Sequence, residues 1–121
     1  MNEQPYHKLL AWKEANAFAI EVYRKTTSFP KHEIYGLTSQ LRRAALSIST
    51  NIVEGQAKLS SKEFVRYLNI AEGSSKESAH LLEFACAIGY LDQDTYELLE
   101  NMRSKADFLL KRLRKSQQSS E

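Results

Sequence analysis

The sequence predicts an all-α protein: an antiparallel four-helix bundle in up-down-up-down order. Three observations carry that reading. Apolar residues recur at spacings of three and four through four long stretches, the period of one helical face. The 121 residues include only four Gly and two Pro, too little turn-forming material for a β fold. The breaks between periodic stretches are a few residues long, and short connections force consecutive helices to lie antiparallel.

The first helix is expected over residues 7–26, where Trp12, Ala15, Ala19 and Val22 share a face with Phe18 beside them. It ends ahead of Phe29-Pro30, because proline disfavours helical geometry at the residue before it. The second helix is expected over 33–54, with Leu37, Leu41, Ala44, Ile48 and Ile52 as its stripe. Gly55 then reads as its C-terminal stop. The third, over 61–88, opens on Ser60 and Glu63, the Ser-x-x-Glu of a capping box. Phe64, Tyr67, Ala71, Ser74, Ser78, Leu81, Ala85 and Ile88 form its stripe, with the alternating spacing of bundle seams; Gly89 closes it. Asp92 is a good N-cap for a fourth helix over 93–115, carrying Leu99, Met102, Ala106, Leu109 and Leu113. The Gln/Ser-rich residues 116–121 are expected to be a disordered tail. No repeat or second domain is visible, so residues 1–121 read as one domain.

Composition narrows the class further. The net charge of +2 is too small to imply nucleic acid by itself. One cysteine, Cys86, excludes an intrachain disulfide and fits a reducing cytoplasm. The first residues lack a basic stretch followed by an apolar one, so no secretory signal is expected. No apolar run approaches the roughly 18–20 residues that span a bilayer. The expectation is a soluble cytoplasmic protein without a membrane partner.

The middle of the chain carries more than periodicity. Residues 35–55, YGLTSQLRRAALSISTNIVEG, followed by KEFVRYLNIAEGSS at 62–75, resemble the bacterial family of 23S rRNA-intervening sequence proteins. Trp12-Lys13, Val22-Tyr23 and Phe29-Pro30 resemble that family's first helix and turn, and the match covers about residues 9–91. Ser49 stands where the family often has proline, and Ser75 where an apolar residue is usual. The resemblance implies a four-helix bundle that assembles as a homopentamer. A relative of similar fold, the accessory variability protein of diversity-generating retroelements, works with a reverse transcriptase and its RNA. RNA is therefore the partner that the resemblance implies, with a protein-interaction scaffold as the alternative.

Several sets of residues stand out. On the second helix Gln40, Ser47 and Glu54 recur every seven positions, with Arg43 and Asn51 one turn either side of Ser47. They form a polar edge that fixes register between helices or subunits, or else line a ligand or RNA groove. Gly73 lies within the third helix, facing away from its seam, and with Ser74 and Ser75 offers a small surface for a subunit contact. The end of the fourth helix is strongly basic. Arg103, Lys105, Lys111, Arg112, Arg114 and Lys115 face only Asp107 among acids between 103 and 115. Cations are favoured at a helix C-terminus in any case, but this cluster, with Arg42, is the candidate for phosphate contacts. Tyr35 and Tyr67 are candidates for base stacking.

No catalytic constellation is expected, and neither is a metal or cofactor. Glu77 and His80 make one Glu-x-x-His pair, whereas dimetal bundles need two such pairs and further carboxylates. Gly73-Ser-Ser-Lys76 lacks the order and the loop setting of a phosphate loop. Cys86 does not share a helical face with His80 and reads as an inert thiol.

Overall fold

The computed structural model describes residues 2–120. Four long helices account for most of them: α1 (Leu10–Lys25), α2 (Leu37–Gln56), α3 (Ser61–Ala87) and α4 (Gln93–Gln118). Short 3-10 turns lie at Pro5–Lys8, Thr26–Ser28 and Lys31–Glu33, and no strand occurs among the described residues.

Contacts between helices fix their directions. Gly55 of α2 lies against Phe64 and Tyr67 of α3, and Ser47 meets Ser74. Numbers fall along one helix as they rise along the other, so the pair is antiparallel. Cys86 with Gln93 and Ser75 with Asp107 show the same for α3 and α4. Glu14 pairs with Lys105, and Lys25 exerts its field on Asp92, so α4 also opposes α1. Three reversals leave α1 and α2 opposed as well. Each helix packs on two neighbours, with α1 against both α2 and α4. The order is up-down-up-down around a square.

The core runs through the middle of that square. Phe18 and Val22, Leu41, Ile48 and Ile52, Leu68 and Leu82, and Leu99 and Leu110 are all fully buried in it. Leu110 was not on the expected stripe of the fourth helix; Leu109 and Leu113 pack partly against the core from one side of it.

Several boundaries differ from the sequence expectation, each for a local reason. The stretch expected as one helix from residue 7 begins as the 3-10 turn Pro5–Lys8, and Leu9 is extended before α1 starts at Leu10. Tyr6 packs edge-on against Trp12 at 5.0 Å, which holds the turn on the helix. The second helix starts at Leu37 and not at residue 33. Glu33 stays in a 3-10 turn, where its carboxylate accepts from the Leu37 N–H at 3.1 Å and from the Tyr90 hydroxyl at 2.9 Å. The backbone N–H bond holds the Glu33 carboxyl below its ordinary value, with help from Tyr90. A glutamate four residues upstream thus caps α2 where no Ser, Thr, Asp or Asn stands at the N-cap. At the other end, α4 continues to Gln118, through three residues expected to belong to the tail.

Gly55 does not stop α2. It is buried within the helix, and a Cβ there would stand 2.8 Å from both Phe64 Cδ1 and Tyr67 Cβ. Its role is to let α3 come close. Gly89, by contrast, takes φ +85° and ends α3 as a left-handed C-terminal glycine should.

The stripe expected on α3 is also corrected. Phe64, Leu68, Ala71, Ser75, Ser78, Leu82 and Ala85 are the buried line, again at alternating spacing. Tyr67 and Ser74 are half-buried toward α2, and Ile88 is 45% exposed. The expected stripe straddled two faces: the core and the edge against α2. The Ser60 cap is half of a capping box. Its hydroxyl accepts from the Glu63 N–H at 3.2 Å, while the Glu63 carboxylate pairs with Arg66 at 3.0 Å.

Candidate functional site

Two seams of the bundle carry its polar side chains, and they use them differently. Between α2 and α3, the Ser74 hydroxyl donates to Ser47 Oγ at 2.8 Å, and Asn51 Nδ2 donates to the Ser47 carbonyl and hydroxyl at 2.8 and 3.0 Å. Outside this hydroxyl pair lies an open groove of about 510 Å³, lined by Gln40, Arg43, Ala44, Ser47, Ser74 and Glu77. The structure therefore brings together Gln40, Arg43 and Ser47 of the polar edge and adds Ser74 and Glu77 from α3. Asn51 orients Ser47 from one turn away, and Glu54 is exposed beyond the groove. Neither Arg43 nor Glu77 has an ion-pair partner among the described residues. Gly73, one residue before Ser74, is exposed with nothing within 4 Å of where a Cβ would stand.

Between α3 and α4 the polar groups satisfy one another. Ser75, 1% exposed, donates to Asp107 Oδ1 at 2.8 Å and accepts from Arg103 Nη1 at 2.9 Å. Arg103 grips Glu100 with two N–H groups at 2.7 and 2.8 Å. Lys111 closes the other end on Asp107 at 2.9 Å. The bonds to Glu100 hold the Arg103 guanidinium above its ordinary value against the cost of burial. Burial pushes the Asp107 carboxyl up, but hydrogen bonds from Lys111 and Ser75 outweigh it and hold the group below the usual range. Lys111 rises in turn through its bond to Asp107. Ser75 is thus the buried link between the two sides of a partly exposed polar network. A hydroxyl without those partners would be costly in a core.

This arrangement decides what the basic end of α4 has to offer. Lys105 pairs with Glu14 at 3.2 Å, and Arg114 pairs with Glu72. Counting acids along α4 alone missed both carboxylates, because they come from α1 and α3. Arg42 is committed too. Its Nε donates to Thr26 Oγ1 at 2.8 Å, its Nη2 to the Tyr23 carbonyl at 3.2 Å, and its guanidinium lies 4.9 Å from the Tyr23 ring centre. It ties α2 to the end of α1, where carbonyls lack helical partners. Of the seven candidate phosphate contacts, Arg112 and Lys115 are exposed with no described carboxylate in ion-pair range. Arg112 lies over the exposed Phe108 ring at 5.7 Å.

Of the two candidate stacking tyrosines, Tyr35 is almost wholly exposed, while Tyr67 is half-buried against Gly55. Glu77 and His80 are exposed. Among the described residues, no three His, Cys, Asp or Glu side chains gather as metal ligands. Cys86 is half-buried, its thiol 3.8 Å from Gln93 Oε1. No helix among the described residues is long and apolar enough to cross a membrane.

Comparison with known proteins agrees with this architecture. The family model described as 23S rRNA-intervening sequence protein matches residues 7–112. Among solved structures, the chain is similar to a Bacteroides thetaiotaomicron protein of unknown function from the S23 ribosomal protein family. The two are 24% identical with a TM-score of 0.78, over 88% of this chain and 99% of that one. At that identity the likeness speaks for the fold. No curated protein matches the chain.

Proposed function

The chain belongs to the 23S rRNA-intervening sequence protein family, and on that premise we propose that it is a non-catalytic cytoplasmic accessory protein. It self-associates and binds RNA through basic residues repeated around a homo-oligomer, for which the family resemblance implies five copies. The observation that carries this reading is the contrast among the cations of α4. Lys105, Lys111 and Arg114 are held by carboxylates, whereas Arg112 and Lys115 near the helix end stand exposed without a described partner. One such pair of cations is a weak site. Repetition around a ring raises the effective concentration of each further contact once one is made.

The α2–α3 groove and the outer face of α3 supply the subunit contact. Arg43 and Glu77 offer unpaired charge of both signs, Gly73 permits close approach, and Ile70 and Phe84 are large apolar side chains left exposed. Those same apolar side chains favour, as the second reading, a scaffold that holds a protein partner without RNA.

A salt titration of binding to structured RNA, with the assembly mass followed by light scattering, separates the two. Binding at low salt should weaken steeply as salt rises, with a slope of about 0.9 per phosphate neutralised on a duplex. An intact oligomer that binds no RNA even at low salt would leave the scaffold reading standing.

A further inference from the structure

We propose that the turn between α2 and α3 carries a second set of RNA phosphate contacts, Lys58 and Lys62, on the same end of the bundle as Arg112 and Lys115. The inference rests on the RNA reading above and deepens it by naming residues outside α4.

The topology supplies the first argument. In an up-down-up-down bundle the start of α1, the end of α2, the start of α3 and the end of α4 share one end. Lys58 lies in the turn after α2, Lys62 in the first turn of α3, and Arg112 and Lys115 in the last turns of α4. Four cations from separate parts of the chain therefore lie toward one end, although they are up to 57 residues apart in sequence. Lys58 and Lys62 stand at its tip. Arg112 and Lys115 lie about 15 Å nearer the middle, since Arg114 pairs with Glu72, ten residues into α3 from Lys62.

Their availability is the second. Lys58 and Lys62 are exposed and have no described carboxylate within ion-pair range. The Lys58 ammonium lies 5.1 Å from the centre of the Tyr67 ring, and the Arg66 guanidinium 4.7 Å from the same centre. A ring face steadies a cation without neutralising it. Arg66 has Glu63 as its partner, so Lys58 and Lys62 remain the free charges of this turn. Tyr67, a stacking candidate by sequence, is here a support for cations.

The third argument is the contrast with the opposite end. There the end of α1, the start of α2, the end of α3 and the start of α4 carry Glu21, Glu33, Glu83, Asp92, Asp94 and Glu97 against Arg24, Lys25 and Lys31, with Arg24 and Lys25 both paired to Glu21. Acids prevail at that end; at the other, Glu54 and Glu63 stand against Lys58, Lys62, Arg66, Arg112 and Lys115, so cations prevail. The field along the bundle draws a polyanion to the α2–α3 turn.

Leu59, fully exposed at the tip of this turn, raises an anionic membrane as the competing partner. One leucine is a small anchor, and surface-binding elements present a broad apolar face beside their cations. No other large exposed apolar side chain lies in the turn. The observations favour a phosphate backbone over a bilayer.

The test uses the full chain and a labelled RNA hairpin, with fold and assembly checked by circular dichroism and light scattering. Lys58→Gln/Lys62→Gln should lower the slope of log affinity against log salt by about two and weaken binding roughly tenfold or more at low salt. Leu59→Ser should change neither. If the wild type binds RNA and the double lysine variant keeps its slope, the turn is not a contact and this inference fails while the RNA reading survives. If the wild type binds no RNA, both fall. Loss of binding in Leu59→Ser, with capture by vesicles containing phosphatidylserine, would overturn the proposal in favour of a membrane.

Discussion

The seams on either side of α3 are built to opposite plans. Against α2 the contact is close and small, with Gly55 admitting Phe64 and Tyr67 and two serine hydroxyls bonded across the helices. Against α4 it is long-armed and ionic, running Glu100, Arg103, Ser75, Asp107 and Lys111 in one connected network. The close seam leaves its flanking charges, Arg43 and Glu77, without ion-pair partners among the described residues. The ionic seam consumes nearly all of its own. A dense run of charge in sequence is therefore a poor guide to a binding surface; what matters is which charges the fold leaves unmatched.

The sharpest way to break the comparison is to fill the close seam. Gly55→Leu forces a side chain into Phe64 and Tyr67 and should cost about 3 kcal/mol, at the upper end for overpacking. Chemical denaturation would read that as a lower midpoint with an unchanged slope. A variant as stable as wild type would mean that α3 can move away freely.

The ionic seam is tested by pH. Hydrogen bonding depresses the Asp107 carboxyl in the folded state. Its contribution is therefore present above the ordinary carboxylate pKa of about 4 and lost as pH falls through the depressed folded value. The thermal midpoint should fall on acidification below about pH 4. Asp107→Asn should cost about 1–2 kcal/mol at neutral pH, since it weakens charge-assisted bonds to Lys111 and Arg103. It should also show a shallower acid loss than wild type. Equal acid profiles would assign the loss to other carboxylates.

The smallest effect on stability sharpens the comparison at a second glycine. Gly73→Leu meets open space, so the fold should be unharmed or gain roughly 0.5–0.8 kcal/mol from helix propensity. The assembly mass should nevertheless fall if the outer face of α3 is the subunit contact. An unchanged mass would move that contact elsewhere.

Much of this was legible in the sequence, and the exceptions share a cause. Periodicity found all four helices, and the caps at Ser60 and Asp92 and the stop at Gly89 lie where their residue types suggest. Gly55 was misread because a glycine near a helix end looks the same whether it terminates the helix or admits a neighbour; only the partner helix distinguishes them. The start of α2 was misplaced because its cap, Glu33, acts from an upstream turn. The buried line of α3 was mixed with its α2-facing edge because both repeat every seven residues. The carboxylates that pair with the basic stretch of α4 were hidden for the same kind of reason. Glu14 and Glu72 are remote in sequence from the cations they hold. Local pattern fixes elements and their caps, while pairing across helices depends on rotation and register that no single stretch encodes.

The most direct measurement compares RNA binding by two double variants in one salt series: Arg112→Gln/Lys115→Gln and Lys105→Gln/Lys111→Gln. Each removes two cations from α4, so net charge is matched. The first pair should lower the slope of log affinity against log salt by about two, as much as the Lys58/Lys62 pair does, and the second should stay close to wild type. If the second pair loses as much, or more, then paired charge serves binding as well as unpaired charge does.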